Sequence, residues 1–396
     1  MQSFDLVILG GGMVGLSLAL ALADTSLQIA VVDPHLPAPL DAERDFSLRV
    51  SAISASSQHF LDALGAWSGI LSQRLQSYQT MHVWEKDSFA KIDFDCQSVM
   101  THELGHIIEN DVIRDSLWQL IQSQSNVTIL SENCLQIERG QREAWLRFEQ
   151  AGMVSAQLIV GADGANSWLR EQCHVPLTFW DYQHHALVAT IRTQLPHQNC
   201  ARQIFTPQGP LAFLPLPDPH CCSIVWSVPL ARAEQLQAFS VEQFNRELAM
   251  AFDQQLGLCE RVGELGVFPL RMRYARDMAG DRFVLIGDAA HTIHPLAGQG
   301  VNLGLTDARD LATTLRRLHE QGKDLGLHPH LRDWERQRKG DATLMIGAME
   351  FFKRLFSGQH PAKKLLRGLG MELSNQLPML KQRWIKQALG LGEPRI

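Results

Sequence analysis

Three glycines near the N-terminus, Gly10, Gly12 and Gly15, are spaced as G-x-G-x-x-G between an apolar segment and a helix-forming one. At this position Gly10 permits a tight turn, Gly12 lets a pyrophosphate approach the backbone, and Gly15 lets the helix pack closely. Asp33 ends the next apolar segment, 18 residues after Gly15, where a carboxylate can accept hydrogen bonds from a ribose. The glycines alone also fit a packing turn, but in this context they predict dinucleotide binding.

Two further glycine-containing segments also follow apolar strands. In residues 161–167, Asp163 and Gly164 fit a tight turn, which by itself decides little. In residues 287–304, a strand delivers Asp288 to a position where its carboxylate can bond a chain of hydroxyls. A glycine-rich turn then begins another helix, whose N-terminal dipole can stabilise an electron-rich ring. Two helix N-termini would therefore face one extended ligand.

The elements that position these residues follow from hydrophobic periodicity and turn residues. The predicted units, in chain order, are strand, helix and strand over 4–33, a helical segment over 51–75, a strand end with an amphipathic helix over 106–123, and strand, turn and helix over 156–170 and again over 281–318. Between 184 and 228, short strand-like runs separated by Pro and Gly predict an antiparallel sheet. We therefore expect an α/β protein whose nucleotide-type domain is assembled from three separated segments.

Composition restricts the class of protein. With 396 residues, of which 45% are hydrophobic and 20% charged, the chain fits a globular protein of two to three domains. A net charge of -6 argues against a general nucleic-acid binder. Seven cysteines without metal-ligand spacing indicate a reducing compartment and no metal site. Residues 6–23 lack charge, but no basic residue precedes them and three glycines interrupt them, so we expect a cytoplasmic protein.

The charge is unevenly distributed along the chain. Residues 340–396 carry nine Lys and Arg against four Asp and Glu, so this region is +5 and the remainder -11. Apolar residues with helical spacing lie between the basic ones. A solvated surface helix explains the pattern, and a face that contacts a membrane surface or a partner protein is the alternative.

Together, the first and third motifs resemble the FAD-dependent aromatic hydroxylases of the p-hydroxybenzoate hydroxylase type. Residues 294–307 match the signature of the branch that acts in ubiquinone biosynthesis, and the likeness runs nearly end to end through segments such as 161–170, 177–192 and 361–367. The implied fold class is α/β, with a Rossmann-like FAD-binding domain, an antiparallel β-sheet substrate domain and a C-terminal helical tail. The implied boundaries are 1–75, 100–180 and 270–345 for the FAD-binding domain, 76–99 and 181–269 for the substrate-binding domain, and 346–396 for the helical region.

The same resemblance implies roles for individual residues. Gly10, Gly12 and Gly15 would hold the FAD pyrophosphate, and Asp33 the ribose, where a Glu is usual in the family. The other implied cofactor-binding residues are Arg49, Asn110, Arg114, Asp163, Asp288, Pro295, Gly298, Gly300, Val301 and Asn302. In the family, the motif of Asp163 is linked to both FAD and NAD(P)H, Asp288 would bind the ribityl chain, and 298–302 would offer amides to the isoalloxazine. Asn110 and Arg114 are alternatives for the residue that approaches the flavin.

The implied activity is hydroxylation of a polyprenylated phenol, from 2-octaprenylphenol to 2-octaprenyl-6-hydroxyphenol. It would use FAD, NADPH or NADH as electron donor, and O2. No second G-x-G-x-x-G follows a strand, so the nicotinamide would bind transiently across the FAD domain. We assign no catalytic side chain, because the phenol oxygen already activates the ring, and no metal ligand.

Three alternatives remain open from the sequence. They are hydroxylation of another ring position in the same pathway, a flavin oxidase or dehydrogenase that inserts no oxygen, and a non-catalytic flavoprotein subunit of a quinone-synthesis assembly. Besides substrate and O2, the expected partners are other quinone-biosynthesis proteins, the inner face of the membrane through the basic C-terminal region, and a second copy of the chain. Nucleic acid is not expected as a partner.

Overall fold

The computed structural model describes residues 2–41, 43–89, 91–292 and 300–356, with side chains described only as far as residue 347. Two predicted site residues, Pro295 and Gly298, lie outside the described residues, as does the C-terminal region beyond residue 356. The described helices are α1 (Met13–Ala21), α2 (Ala55–Ala63), α3 (Ala66–Ser72), α4 (Asn110–Ile121), α5 (Trp168–Gln172), α6 (Leu230–Ala238), α7 (Val241–Ala251), α8 (Gly300–Glu320) and α9 (His328–Phe356). In these ranges no helix is both long enough and apolar enough to span a bilayer.

One large sheet is mainly parallel and forms the core of the nucleotide-type half. Its eight strands are β1 (Gln2–Leu9), β2 (Ile29–Val32), β8 (Val127–Leu130), β9 (Gln136–Arg139), β10 (Ala144–Arg147), β11 (Met153–Gly161), β17 (Ala279–Gly280) and β18 (Phe283–Leu285). The order β17-β18-β11-β1-β2-β8 places β1 between β11 and β2. Most residues of these central strands are buried, because helices cover both faces of a parallel sheet. We call this part of the molecule the parallel half.

The second large sheet is almost entirely antiparallel, and β13–β5 is its parallel pair. Its strands are β5 (Thr80–Glu85), β6 (Lys91–Asp95), β12 (Leu177–Thr193), β13 (Cys200–Thr206), β14 (Gly209–Pro215), β15 (Cys221–Pro229), β16 (Cys259–Ala275) and β19 (His291–Thr292). One face packs against α6 and α7 through buried residues that include Leu187, Trp226 and Phe244. The other face carries Val188 and Val225. We call this part the antiparallel half, and it contains the strands predicted between 184 and 228.

A third, small sheet has three strands, which lie in sequence between strands of the two halves. It contains β3 (Val50–Ile53), β4 (Gln76–Tyr78) and β7 (Gly105–Glu109), with β7 in the centre. The predicted helical segment over 51–75 was therefore wrong at its start. Residues 50–53 pair with β7 as a strand, and only α2 and α3 are helical, because strand pairing overrides the local preference of a short Ser- and Ala-containing run.

The long strands β12 and β16 are 17 residues each and connect the two halves. At its C-terminal end β16 pairs with β19, where Tyr274 is opposite His291. The expected α/β fold class with an antiparallel second sheet is confirmed, and the predicted C-terminal helical region is helical as far as residue 356, where the described residues end. The domain boundaries stay a prediction, since β12, β16 and α9 each run continuously through one of the proposed limits.

Candidate functional site

Three adjacent parallel strands bring the three predicted motifs together. In the sheet β11 lies between β1 and β18, with Leu9 opposite Gly161 and Gly161 opposite Leu285. The turns that follow these strands therefore leave the sheet side by side at its carboxyl edge. Ligands of open α/β sheets bind at this edge, so the topology assembles one candidate site from segments more than 100 residues apart in sequence.

Each glycine of the first turn is needed for a different structural reason. Gly10 has φ of +109°, and a Cβ there would lie 2.3 Å from the Ala162 carbonyl oxygen. A Cβ at Gly15 would lie 2.0 Å from the Gly10 carbonyl oxygen. Among the described residues, nothing beyond the chain neighbours lies within 4 Å of a Cβ built on Gly12, which precedes α1 without a side-chain cap. The first amides of α1 can therefore bind an anion.

The helices of the first and third motifs pack closely together. A Cβ at Gly304 of α8 would lie 2.8 Å from Val14 of α1 and 3.1 Å from the Cα of Gly287. Gly287 itself has φ of +60°, a conformation that favours glycine. Small residues at this contact allow the N-terminal regions of α1 and α8 to lie near one another, as two helix termini facing one ligand require.

A cavity of about 580 Å³ opens beside the first turn. Its lining includes five predicted site residues, Gly12, Asp33, Arg49, Asn110 and Arg114. Sequence reasoning did not single out the other lining residues, Met13, His35, Ser47, Leu48 and Asp111. A volume of several hundred Å³ is typical of small-molecule sites, and the charged and polar side chains in the lining suit the polar part of a nucleotide.

Asp33 and Arg114 form a clamp around the first turn. The carboxylate Oδ2 of Asp33 accepts hydrogen bonds from the Gly11 amide at 2.9 Å and from Arg114 at 3.2 Å. Arg114 also donates to the carbonyl oxygens of Gly11 at 2.8 Å and His35 at 2.6 Å. Asp33 thus shapes the turn in addition to lining the cavity, and Arg114 binds the end of β2 to the turn after β1.

A buried glutamate positions the segment that bears Arg49. Glu109 is 3% exposed and accepts hydrogen bonds from the Ser47 amide at 2.6 Å, Arg44 at 3.0 Å and Arg74 at 2.7 Å. The next residue, Asn110, donates its amide to the Arg49 carbonyl oxygen at 3.0 Å. Sequence reasoning missed Glu109, although a Glu directly before a helix that carries two site residues was an available signal.

The second turn is linked to the third. Asp163 accepts a hydrogen bond from the Leu169 amide at 3.0 Å and so supports the start of α5. Arg170 is buried and donates to the carbonyl oxygens of Ala165 at 2.9 Å and Ala289 at 2.8 Å. Burial and the nearby Arg273 lower the pKa of Arg170. In the structure Asp163 therefore organises the turn, and Arg170 joins it to the residue after Asp288.

In the third turn, Asp288 is solvent-accessible although protein surrounds it on most sides. This desolvation raises the pKa of Asp288, against the opposing effects of His291 and Arg49. His291 and Asp307 are buried and share a hydrogen bond of 2.6 Å. Burial opposes protonation of His291, but the Asp307 carboxylate outweighs it and raises the pKa of His291.

At the start of α8, the side chain of Asn302 makes backbone contacts. Its amide donates to the Ala52 carbonyl oxygen at 2.8 Å, and its carbonyl oxygen accepts from the Ser54 amide at 3.0 Å. Asn302 thereby fixes the first turn of α8 to the end of β3. Gly300 and Val301, the other predicted residues of this turn, are half-buried.

The antiparallel half reaches the cavity through Arg49. The Arg49 guanidinium lies 5.8 Å from the centre of the Phe268 ring, which is 38% exposed. On the same sheet, Val188 and Val225 are directly opposite each other and half-buried, and Ala186, opposite Phe268, is buried. This face lies on the side away from α6 and α7 and is apolar at these positions, with Ser227 opposite Ala186 as a buried polar neighbour. It can receive an apolar ring or chain next to a polar cofactor site.

The residues present fit FAD. An uncapped helix start beside an open Gly12 suits a pyrophosphate, and the adjoining cavity is lined by both a carboxylate and arginines. Asp288 places a second carboxylate at the neighbouring turn, where a hydroxyl chain could bond it. The arrangement could therefore hold a dinucleotide cofactor next to an apolar face.

Comparisons with known proteins agree with this geometry. A sequence model of the FAD binding domain family matches residues 3–331. The 3-demethoxyubiquinol 3-hydroxylase of Escherichia coli is 34% identical over 391 residues, which cover 98% of this chain and 99% of that protein. The mitochondrial ubiquinone biosynthesis monooxygenase COQ6 of Xenopus tropicalis is 33% identical, with 96% and 92% covered. The crystal structure of p-nitrophenol 4-monooxygenase from Pseudomonas putida superposes on this chain with a TM-score of 0.79, and the alignment covers 100% of both chains. The sequence identity is 17%, so this similarity shows a common fold.

The chain thus belongs to the FAD binding domain family and is an FAD-dependent aromatic monooxygenase. One of the two relatives above is named as a hydroxylase of a ubiquinol derivative and the other as a monooxygenase of ubiquinone biosynthesis, and the similarity to both extends over almost the whole chain.

Proposed function

We propose that this chain hydroxylates the ring of a polyprenylated phenol or quinol in ubiquinone biosynthesis, with FAD as resident cofactor and NADPH or NADH as electron donor. The observation that carries the proposal is the end-to-end similarity to hydroxylases with this role, 34% identity over 98% of the chain. In the balanced reaction, NAD(P)H, a proton, O2 and the ring C–H give NAD(P)+, water and the ring C–OH. One oxygen atom enters the product and the other leaves as water.

When bound, FAD supplies the electron storage and the oxygen activation. The chain's own part begins with binding. The amides at the start of α1, exposed by Gly12, would hold the pyrophosphate, with Asp33 and Arg114 keeping the turn in shape. Arg49 and Asn110 would line the cofactor site, and Asp288 would accept hydrogen bonds from the ribityl hydroxyls. Gly300, Val301 and Asn302 would present the start of α8 to the ring system.

The substrate side is apolar by this proposal. Val188, Val225 and Phe268 would hold the ring and the first part of the prenyl chain, and their packing would exclude water from the reacting carbon. The phenol oxygen activates the ring electronically, so holding the ring in position is the main requirement. We propose no general base.

The ring position has two candidates. The sequence resemblance favours the step from 2-octaprenylphenol to 2-octaprenyl-6-hydroxyphenol. The name of the 34% identical relative, 3-demethoxyubiquinol 3-hydroxylase, supports a later substrate that already carries more ring oxygens. Both reactions use the same cofactor and the same apolar face, so the substrate's ring substituents decide between them.

The test is to incubate the FAD-loaded protein with NADH or NADPH, 18-O2 and short-chain analogues of each candidate substrate. We expect a product heavier by one 18-O atom from one of the two substrates. Nicotinamide oxidation that yields only hydrogen peroxide with both would contradict these substrates, and absence of FAD binding would contradict the whole proposal. The ratio of rates with NADH and NADPH identifies the donor.

A peripheral membrane contact through the basic C-terminal region, residues 340–396, belongs to the same proposal, because a polyprenylated substrate resides in the bilayer. Flotation with anionic liposomes, compared between the full chain and a chain that lacks residues 350–396, tests it. Equal flotation of both would contradict a role for this region.

A further inference from the structure

Asp307 holds both ends of the turn that carries Asp288. Its Oδ2 accepts a hydrogen bond from the Gly287 amide at 3.0 Å and another from His291 Nε2 at 2.6 Å. Asp288 lies between these two donors. The placement of Asp288 therefore depends on how firmly the Asp307 carboxylate itself is held.

The second oxygen of Asp307 faces an arginine from another helix. Arg338 of α9 places Nη1 3.8 Å from Asp307 Oδ1, and the two side chains are 2% and 1% exposed. Among the described residues, Asp307 Oδ1 has no hydrogen-bond partner, so Arg338 supplies the facing positive charge. A buried carboxylate needs such compensation, because low dielectric strengthens both its attractions and its desolvation cost.

Two further aspartates hold the guanidinium of Arg338 in place. Its Nη2 lies 3.3 Å from Asp310 Oδ2 on α8, and it also pairs with Asp341 on α9. These contacts aim the guanidinium between α8 and α9, on the side of Asp307 away from Gly287 and His291. Arg338 also lies beyond residue 331, where the match to the family model ends.

We propose that Arg338 is a positioning residue for the FAD site. It acts through Asp307, whose carboxylate it orients, and thus fixes the third turn and the direction in which Asp288 points. The inference rests on the proposed role of Asp288 at the cofactor. It makes α9 part of the cofactor site although α9 does not line the cavity beside the first turn.

Arg282 provides a matched control for simple loss of a buried ion pair. Its side chain is 1% exposed and donates to both oxygens of Asp324 at 2.6 Å. It precedes β18, whereas Gly287 follows the same strand, so the two arginines support opposite ends of one element. Arg336, which is 82% exposed beside Asp333, is the surface control on α9.

The experiment compares Arg338→Met, Arg338→Gln, Arg338→Lys, Arg282→Met and Arg336→Met in the full chain. FAD is removed, its dissociation constant is measured by fluorescence titration, and the visible circular dichroism of bound FAD is recorded together with thermal unfolding. We expect Arg338→Met and Arg338→Gln to raise the FAD Kd about tenfold and to change the visible spectrum. Arg338→Lys, which keeps the charge, should recover most of the affinity, and Arg282→Met should lower the melting temperature with Kd within about twofold.

The outcomes separate this inference from the proposed function. If either neutral Arg338 variant folds and keeps the FAD Kd and spectrum of Arg282→Met, the inference is wrong while the proposed function stands. If all three Arg338 variants weaken FAD binding equally, the charge is not what matters and the inference is again wrong. If the wild-type apoprotein binds no FAD, both the inference and the proposed function fail.

Discussion

The parallel and antiparallel halves of this protein position their candidate site residues by different means. In the parallel half, polar residues follow strand ends, and hydrogen bonds such as Asp33 to Gly11 and Asp307 to Gly287 fix each turn. In the antiparallel half, the candidate substrate face consists of apolar side chains such as Val188 and Val225 within regular strands. A charged, extended cofactor requires directed polar contacts, whereas an apolar ring requires mainly shape. The first half should therefore be sensitive to loss of single atoms, and the second to added bulk.

The largest expected effect is at Gly15. Gly15→Val places a side chain where even a Cβ would lie 2.0 Å from the Gly10 carbonyl oxygen. We expect a loss of about 4 kcal/mol in the free energy of unfolding, or no folded protein. Gly12→Ala is the matched control, because its Cβ meets open space. It should keep the unfolding transition in urea and weaken only FAD binding. A folded Gly15→Val protein with normal stability would contradict the packing of α1 described here.

Acid stability should differ between a buried histidine of the small sheet and one of the antiparallel half. Burial lowers the pKa of His106 to about 4, and the nearby Glu103 is itself desolvated, with its pKa raised. The unfolded chain protonates His106 near pH 6.5, so stability falls as the pH drops from about 6.5 to 4. The total effect is about 3 kcal/mol.

His197 is also buried, and burial lowers its pKa, but the carbonyl oxygens of Leu216 and Asp218 oppose the shift. Urea unfolding of His106→Gln and His197→Gln between pH 7 and 4 measures the difference. The free energy of unfolding of His106→Gln should depend on pH much less than that of the wild type between pH 6.5 and 4. His197→Gln should reduce this pH dependence by a smaller amount. Equal slopes in wild type and His106→Gln would contradict the prediction.

Asp288→Asn tests whether a single polar atom in the parallel half contributes to FAD binding. The side chain is accessible and its carboxylate is proposed to accept ribityl hydrogen bonds. We therefore expect the FAD Kd to rise about 30-fold, or about 2 kcal/mol, with little change in melting temperature. Asp62→Asn, an exposed substitution on α2, is the control. Unchanged FAD affinity in Asp288→Asn would remove this residue from the site.

Val225→Trp tests whether added bulk on the apolar face of the antiparallel half blocks the substrate. The indole should occupy the face opposite α6 and α7 and reduce kcat/KM for the prenylated substrate about tenfold, or about 1.4 kcal/mol. The FAD Kd should stay within about twofold. Leu230→Trp, a substitution at an exposed position of α6, should leave both values unchanged. If Val225→Trp weakens FAD binding and leaves turnover intact, the proposal that the parallel half binds FAD and the antiparallel half binds the substrate is wrong.

The same contrast explains what the sequence could predict. Glycines and a carboxylate after an apolar strand, as at Gly10, Gly12, Gly15 and Asp288, have few alternative explanations, so the three turns were predictable. The residues that hold those turns were not. Arg114 reaches Gly11 from 103 residues away, and Glu109 reaches Ser47 from 62. Only the tertiary fold reveals such pairs, because nothing in the local pattern of either partner identifies the other.

The apolar substrate face was predictable only as strands. Val188 and Val225 belong to runs that alternate between two apolar faces, and the pattern does not say which face is covered by helices and which faces a ligand. The helical prediction over 51–75 failed at residues 50–53 for a related reason, since pairing with β7 is a long-range contact. The C-terminal region from 357 stays a prediction, as do the domain boundaries.

The long strands β12 and β16 also determine how the molecule comes apart. They pair from Leu177 opposite Ala275 to Thr193 opposite Cys259, with register shifts between Asp181 and His184 and between Val188 and Thr190. Both strands belong to the antiparallel half, but Leu177, Tyr274 and Ala275 at their ends pack with the hydrophobic core of the parallel half. We therefore expect the two halves to unfold as one cooperative unit. By mass action, a ligand bound to the folded parallel half then stabilises the antiparallel half as well. Saturating FAD would therefore conceal much of the loss of stability caused by a core mutation in the strands of the candidate substrate face.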